Sequence, residues 1–272
     1  MTNQLFDVRE KVAVVTGGAG VLCSALSRML SAQSVKVAVL DLNVGAAESL
    51  AAELRSSGGE AIGVACNVLD KASIEAAAGK TITAFGRVDI LLNGAGGNKP
   101  QATTSKETSF FDLPADVLRW VIDLNLMGII LPSQVFGKIM AEQKSGVILN
   151  FSSMNFYRPL TRIPAYSAAK AAVSNFTQWL AVDMAQNYSP NIRVNAIAPG
   201  FLVGEQNRRL LLNEDGSLTS RGHTIIDHTP MGRFQVPEDL FGTVLWLLSP
   251  ASALVTGITV PIDGGFSAYS GV

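Results

Sequence analysis

The sequence predicts an α/β protein built on a doubly wound, parallel, seven-stranded sheet with helices on both faces. Three features of the chain point to it. Seven short runs rich in Val, Ile, Leu and Ala recur along the 272 residues. Each is almost continuously apolar, as strands buried on both faces must be. Between them lie segments of helical period that end at glycine, such as AAESLAAELRSSG (46–58).

The strand candidates in order are KVAVVT (11–16), VKVAVLD (35–41), EAIGVACNV (60–68), VDILLNGAG (88–96), GVILNFSS (146–153), IRVNAIAPG (192–200) and GITVPIDGG (257–265). Strands that alternate with helices imply parallel pairing through crossovers. No linker or repeat divides the chain, so residues 1–272 read as one domain. One polar stretch, 201–236, interrupts the rhythm before the last helix and strand. Segments of that length inside a compact domain are usually functional lids or disordered, and 201–234 is expected to be a substrate lid.

Composition narrows the functional classes. Hydrophobic residues make up 48% and charged residues 16%, which supplies ample material for a core. A net charge of −1 gives no electrostatic reason to expect nucleic acid or an anionic membrane as partner. The two cysteines, Cys23 and Cys66, form no disulfide framework and no metal-ligand spacing. A reducing, cytoplasmic location and no metal site are expected. The opening MTNQLFDVREK lacks the apolar centre of a signal peptide. No uninterrupted apolar run reaches about 18 residues, so no membrane span is expected.

The first strand runs into VVTGGAGVLCSAL (14–26), which has the form of a phosphate-binding turn. Gly17, Gly18 and Gly20 let main-chain N–H groups approach a phosphate, and a helix starting near Val21 points its N-terminus at it. A dinucleotide-binding, Rossmann-type end of the sheet follows. The second strand ends in Asp41, whose carboxylate can accept from the adenine-ribose hydroxyls and repels a 2′-phosphate. NAD(H) is therefore expected over NADP(H). A capping or solvated carboxylate is the plainer reading of Asp41, and a ligand-free βα turn is the plainer reading of the glycines.

The chemistry is concentrated in AYSAAKAAV (165–173). Tyr166 and Lys170 are four residues apart on a helical segment, so they share a face. A lysine beside a phenol can lower its pKa and make it a usable acid or base. Thirteen residues before Tyr166 lies Ser153, Asn125 sits in the helical stretch VIDLNLMG, and NGAGG (93–97) follows the fourth strand.

With TGGAGVLC, Asp41, NGAG, Asn125, Ser153, Tyr166-x-x-x-Lys170, Pro199–Gly200 and a C-terminal DGG in this order, the chain strongly resembles the short-chain dehydrogenase/reductase family over essentially its whole length. The resemblance implies Tyr166 as general acid/base and Ser153 as donor to the reacting oxygen. It implies Lys170 on the nicotinamide ribose and Asn125 in a proton relay. It further implies NAD(H) contacts from Gly17, Gly18, Gly20, Val21, Leu22, Asp41, Leu42, Asn67, Val68, Asn93, Gly94, Ala95, Tyr166, Lys170, Pro199, Gly200 and Leu202. Family members commonly assemble as homotetramers. The chain departs from the family pattern at three places: Val21 and Cys23 stand where T-G-x-x-x-G-x-G has its later glycines, Asn67 replaces an aspartate, and NGAG replaces the commoner NNAG. Cys23 is small enough to permit close helix–sheet packing in place of glycine.

The loops expected around Tyr166 are polar. Asn98, Ser153, Asn155, Arg158, Tyr166, Gln206 and Asn207 are the candidate substrate contacts, with Lys99, Arg162, Arg208, Arg209, His223 and His228 nearby in sequence. Amides suit hydroxyls and arginine suits a carboxylate, so a hydroxylated acid is expected, although each cation alone also reads as solvated loop surface. GVLC, GGNKP, the 201–234 segment and IDGGFSAYSGV resemble the branch of the family that interconverts D-fructuronate and D-mannonate with NAD(H). A 5-keto-gluconate reductase or polyol dehydrogenase shares the polar pocket. A non-catalytic dinucleotide-binding protein would be expected to lack members of the Asn125, Ser153, Tyr166, Lys170 set.

Overall fold

The computed structural model describes residues 2–204 and 207–271. The chain begins α1 (Thr2–Leu5), β1 (Val12–Thr16), α2 (Val21–Ala32), β2 (Lys36–Asp41), α3 (Val44–Ser56), β3 (Ala61–Ala65), α4 (Lys71–Phe85) and β4 (Ile90–Asn93). It continues α5 (Ala115–Ile122), α6 (Gly128–Gln143), β5 (Gly146–Phe151), α7 (Pro164–Asn187) and β6 (Ile192–Pro199). It closes with α8 (Arg208–Leu211), α9 (Ser220–Asp227), α10 (Phe241–Leu248) and β7 (Thr259–Ile262). The seven strands form one parallel sheet in the order β3-β2-β1-β4-β5-β6-β7. The winding reverses between β1 and β4, and the carboxyl ends of those strands open onto the crevice where such sheets bind ligands.

Alternate strand residues feed two apolar layers. Ala13, Val15, Val37, Val39, Ile90 and Leu92 pack under α2, α3 and α10. Val14, Ala38, Leu40, Leu91 and Ile148 pack under α4, α6 and α7, with Phe136 and Met140 wholly buried. The strands end a few residues before the apolar runs do. Beyond β3, Asn67 folds back so that its Oδ1 accepts from Leu69 N at 3.0 Å. Beyond β4, the N–H groups of Gly94 and Ala95 turn aside to Thr16 Oγ1 at 3.2 and 3.4 Å.

Residues Ala115–Gln143 form one continuous helical run, α5 and α6 joined by a π turn at Asp123–Met127. With a window of mean hydropathy 1.3, this run is long and apolar enough by itself to cross a membrane. The sequence reading missed it because polar residues break the run into shorter apolar pieces. Val121, Asn125, Ile129, Ser133, Phe136 and Met140 are buried along it, packed against the sheet and α7. It is thus a core helix of the sheet's lower layer. The 201–236 segment likewise is folded rather than open. Leu202 bridges Gln235, Leu212 bridges Leu218, and Leu211 and Ile225 are buried between α8 and α9.

The two turns over β1 and β4 pack without side chains between them. Gly17 has φ +60°, and a Cβ on it would come within 2.8 Å of Ala95 Cα. A Cβ on Gly18 would come within 2.8 Å of Val39 and 2.9 Å of the Val15 carbonyl. A Cβ on Gly94 would overlap the Cys23 sulfur and lie 3.1 Å from the Thr16 carbonyl. The departures at Cys23 and Gly94 are therefore one exchange. The thiol occupies the space that a side chain at residue 94 would need. Burial pushes the Cys23 thiol up to about 12, so it remains a neutral packing group.

Gly94→Asn in the wild-type background is expected to lower stability by about 1–3 kcal/mol through overpacking. Cys23→Gly is expected to cost about 1–2 kcal/mol through the lost sulfur contacts and the helical glycine. The double variant should recover most of the Gly94→Asn loss, with a coupling of about 1–2 kcal/mol in urea unfolding. Additive losses would show that the two positions are independent.

Candidate active site

The nucleotide end is built from backbone. Gly18 N donates to the Leu40 carbonyl at 3.0 Å, which holds the glycine turn over β2. Gly20 is the N-cap of α2 and has no side chain to cap it, so the first N–H groups of the helix face the crevice uncapped. Val21, half exposed, and the partly buried Leu22 begin that helix. The Asp41 carboxylate accepts from Ala19 N at 3.1 Å and from Asn43 N at 2.9 Å. It thereby joins the glycine turn to the end of β2 and keeps lone pairs free for hydroxyl donors. Leu42 beside it is 78% exposed, an apolar surface of the kind that an aromatic base covers.

The reacting end is held by α7 and the end of β5. The two serines after β5 have different duties. Ser152 Oγ is buried, bonded to the Lys170 carbonyl at 3.0 Å and to Ser174 Oγ at 2.7 Å. Ser153 instead acts on the Tyr166 phenol, whose pKa it pulls down against the effect of burial. Ser153 Oγ also accepts from the main-chain and side-chain N–H groups of Asn155 at 3.3 and 3.1 Å. Its lone pairs are thus engaged from behind, which leaves its proton for an acceptor in front.

Lys170 is buried, and its Nζ donates to the Phe151 carbonyl at 2.7 Å while lying 5.6 Å from the Tyr166 ring centre. Burial depresses its pKa to about 8. Burial also raises the Tyr166 phenol above its usual value, opposed by the Ser153 hydrogen bond. The sequence reading had Lys170 lowering that phenol. In this structure the ammonium is directed at Phe151, and desolvation of the phenolate dominates.

Asn125 is fully buried in the π turn. Its Nδ2 donates to the carbonyls of Gly97 at 2.6 Å and Val121 at 2.8 Å, and its Oδ1 accepts from Gly97 N at 3.2 Å. A Cβ on Gly96 would lie 2.8 Å from Asn125 Oδ1 and 3.4 Å from Lys170 Nζ. Gly96 therefore leaves open the gap between these two polar groups.

The other predicted residues fall into two sets. Ala95, Asn67 and Val68 lie at the carboxyl edge beside Gly94 and Asp41. Pro199, Gly200 and Leu202 continue that edge past β6, where a Cβ on Gly200 would come within 2.8 Å of Asp263 Cα. Asn93 lies beneath the site, its amide donating to Ser133 Oγ and Asn150 Oδ1, both at 2.9 Å. Among the expected substrate contacts, Asn98 donates to Thr103 Oγ1 at 3.0 Å, and its Oδ1 is buried with no partner among the described residues. Asn155 is turned inward, with Oδ1 accepting from Leu160 N at 2.9 Å and Ser167 Oγ at 3.1 Å. Arg158 donates to the Ser267 carbonyl at 2.8 Å, and Asn207 braces Leu202 and Gly204. Gln206 lies outside the described residues. Two contributors escaped the sequence reading. Thr16 joins the two turns through its hydroxyl, and its place as the last residue of β1 was the available signal. Trp120 carries Lys99 Nζ 3.8 Å over its ring and packs in one cluster with Tyr166.

Comparison with known proteins agrees with this geometry. The family model described as short chain dehydrogenase matches residues 11–214. An oxidoreductase of Bacillus subtilis designated UxuB, itself uncharacterised, is 51% identical over 271 residues, covering 96% of each chain. A crystal structure from Haemophilus influenza, described provisionally as a D-mannonate oxidoreductase with bound NAD, is 47% identical with a TM-score of 0.92, covering 98% of each chain. A gluconate 5-dehydrogenase from Burkholderia cenocepacia, in complex with NADP and tartrate, is 26% identical with a TM-score of 0.88, covering 99% of this chain and 100% of that one. A glycine-turn crevice, the Ser153, Tyr166 and Lys170 set at the end of β5 and the start of α7, and a model match over most of its length place this chain in the short-chain dehydrogenase/reductase family of oxidoreductases.

Proposed function

We propose that this oxidoreductase interconverts D-fructuronate and D-mannonate with NAD(H). The observation that carries the reaction type is Tyr166 with Lys170 one turn along α7, its Nζ 5.6 Å from the phenol ring centre, and Ser153 at the end of β5 held by Asn155. The cofactor and substrate are supported by the 47% identical neighbour, which holds NAD and is described only provisionally as a D-mannonate oxidoreductase. The residues of this chain fit that cofactor. Cβ atoms on Gly17 and Gly18 would fill the turn, the N-terminus of α2 is uncapped, and Asp41 stands where a ribose would present its hydroxyls. Trp179 and Val182 on α7, and Tyr188 just past its end, are exposed, which supports assembly of several copies.

When bound, the nicotinamide supplies the hydride chemistry. In reduction, the keto oxygen accepts from the Ser153 hydroxyl, whose lone pairs Asn155 already occupies. As negative charge gathers on that oxygen, Tyr166 donates its phenolic proton to it. The resulting phenolate lies beside the Lys170 ammonium. We assign the proton's return to the space at the exposed Gly96, which adjoins both Lys170 Nζ and Asn125 Oδ1. In oxidation each proton step runs in reverse.

The purified enzyme is expected to oxidise NADH rapidly with D-fructuronate, followed by loss of reduced-nicotinamide absorbance. Turnover with 5-keto-D-gluconate alone would instead assign the site to that keto acid. Tyr166→Phe is expected to lower kcat by about 10³-fold or more, since it removes the proton donor; unchanged turnover would dismiss the assignment of Tyr166.

Asp41→Ser is expected to raise the NADPH-to-NADH ratio of kcat/KM by about 10²-fold, as a carboxylate facing a 2′-phosphate is removed. A ratio that stays fixed would place the discrimination elsewhere.

Reduction needs Lys170 protonated, and its pKa is depressed to about 8, so kcat/KM for reduction is expected to fall as pH rises through about 8. Lys170→Met should abolish that limb along with most of the activity. The same shift has a sign for stability. Between about 8 and the ordinary lysine value of 10.5, the unfolded chain holds the proton that the folded chain has released. The contribution of Lys170 to stability therefore rises with pH across that window.

A further inference from the structure

We infer that Asn155 is a positioning residue of the reaction: together with Ser167 it bridges the end of β5 to the first turn of α7 and fixes the Ser153 hydroxyl as a hydrogen-bond donor. The inference rests on the role given to Ser153 above. The bridge has three buried members on three pieces of chain. Ser153 is the second residue past β5, Asn155 sits in the single 3₁₀ turn Met154–Phe156, and Ser167 lies in the first turn of α7, next to Tyr166.

One main-chain donor sets the direction of every hydrogen bond in the bridge. Leu160 N lies 2.9 Å from one terminal atom of the Asn155 amide. A backbone N–H can only donate, so that atom is Oδ1 and the other is the NH2 group. Ser167 Oγ donates to the same Oδ1 at 3.1 Å, because a carbonyl oxygen can only accept. Nδ2 faces Ser153 Oγ at 3.1 Å and must donate to it, and Asn155 N donates to it as well at 3.3 Å. A hydroxyl has two lone pairs and one proton. With both lone pairs engaged by Asn155, the proton is what Ser153 has left to offer a reacting oxygen. The pull of Ser153 on the Tyr166 phenol, downward, is that of a donor.

A plainer role for Asn155 is to close the turn after β5. The main chain already does so. Phe156 N donates to the Ser153 carbonyl and Tyr157 N to the Met154 carbonyl, both at 2.9 Å, and Arg158 N adds a bond to Met154 at 3.0 Å. Among the described residues, Nδ2 bonds Ser153 alone. The bridge also solves a problem of placement. Ser153 and Tyr166 come from different elements, yet both must reach one oxygen. Because Asn155 holds Ser153 and is itself held by the residue after Tyr166, α7 cannot shift its tyrosine without straining a buried bond to the serine. A donor fixed in this way needs no reorganisation as negative charge gathers on the substrate oxygen.

The test is steady-state kinetics with NADH and D-fructuronate for wild type, Asn155→Asp, Ser167→Ala, Ser153→Ala, and Ser153→Ala combined with each of the first two, with urea unfolding to confirm that each folds. Asn155→Asp keeps an oxygen for Leu160 N and Ser167 but puts an acceptor where the donor to Ser153 stood, which draws the serine proton back. Its kcat is expected to fall by about 10²-fold while KM stays within about threefold of wild type. Ser167→Ala should lower kcat by about 3- to 10-fold, since the amide loses one of its two anchors. The protonated carboxyl of Asn155→Asp is a donor again, so its kcat should recover as pH falls, taken as a ratio to wild type that cancels the titrations of Tyr166 and Lys170. In the Ser153→Ala background Asn155→Asp should cost less than about threefold, because no hydroxyl remains to orient. Equal kcat losses with and without the Ser153 hydroxyl would overturn the inference, as would a loss confined to KM, the mark of a substrate contact. If Asn155→Asp does not fold, Ser167→Ala carries the same comparison. If wild type reduces no D-fructuronate, the substrate reading falls, and hydrogen exchange of the Asn155 Nδ2 protons, followed by NMR without substrate, decides the bridge. Faster exchange in Ser153→Ala than in wild type upholds it, and unaltered exchange overturns it.

Discussion

The site depends on one steric constraint: the turns over β1 and β4 must meet backbone to backbone. These strands are neighbours in the sheet but distant in sequence, and the winding reverses between them. Thr16 Oγ1 accepts from the N–H groups of Gly94 and Ala95, and Gly17 sits too close to Ala95 for any Cβ. Where the crevice tolerates a side chain, only one fits. Cys23 takes the space, and residue 94 is glycine in consequence. The cofactor turn, which read as incomplete when its glycines were counted alone, is complete once the facing strand is considered. Steric volume has been moved from one strand's turn to the other's helix.

A ladder of buried polar groups fixes the reacting end relative to that crevice. Asn93 bonds Asn150, and Asn150 Nδ2 donates to Thr177 Oγ1 at 2.9 Å on α7. Ser152 grips the Lys170 carbonyl from β5, and Lys170 Nζ grips β5 in return. Helix α7 is thus tied to two central strands by directional bonds as well as by apolar contact. Apolar packing alone tolerates small slides, whereas buried hydrogen bonds penalise them strongly because each broken partner is left unsatisfied. Tyr166 and Lys170 extend from this anchored part of the helix, so their heights over the crevice are set by the same bonds that hold the core.

Much of this was legible in the sequence, for physical reasons that differ by element. Parallel strands buried on both faces leave continuous apolar runs, so β1 to β7 were found with their order, and their ends were overrun where those runs pass into turns. Tyr166 and Lys170 share a helix face by spacing alone. Of the two serines, Ser152 is committed to the Lys170 carbonyl and Ser174, and Ser153, thirteen residues before Tyr166, is not. The rest depended on what each side chain touches. Asn155 read as a substrate contact, yet it faces inward and orients Ser153. Lys170 read as acting on Tyr166 through charge alone, and it also anchors β5, since one of its three N–H groups donates to the Phe151 carbonyl. The π turn at Asp123–Met127 has no residue signature and looks like ordinary helix in the sequence.

Charge was the least legible property because its meaning lies in each cation's partner. Five cations, Lys99, Arg158, Arg162, Arg208 and Arg209, were visible around the expected pocket or lid, and each alone resembled solvated loop surface. Arg158 stood beside Arg162 in that group and proved to be spent on the Ser267 carbonyl. A backbone carbonyl carries no signature in sequence, so the acceptor that fixes a cation such as Arg158 becomes visible only once the loop after β5 and the C-terminal residues are folded against each other. Arg193 is the same case inside the core: within an apolar strand it has no acidic neighbour in sequence, yet its guanidinium donates to Ser252 Oγ and to the Ser249 carbonyl. Buried cations of this kind are held by uncharged acceptors, and only the folded backbone supplies those.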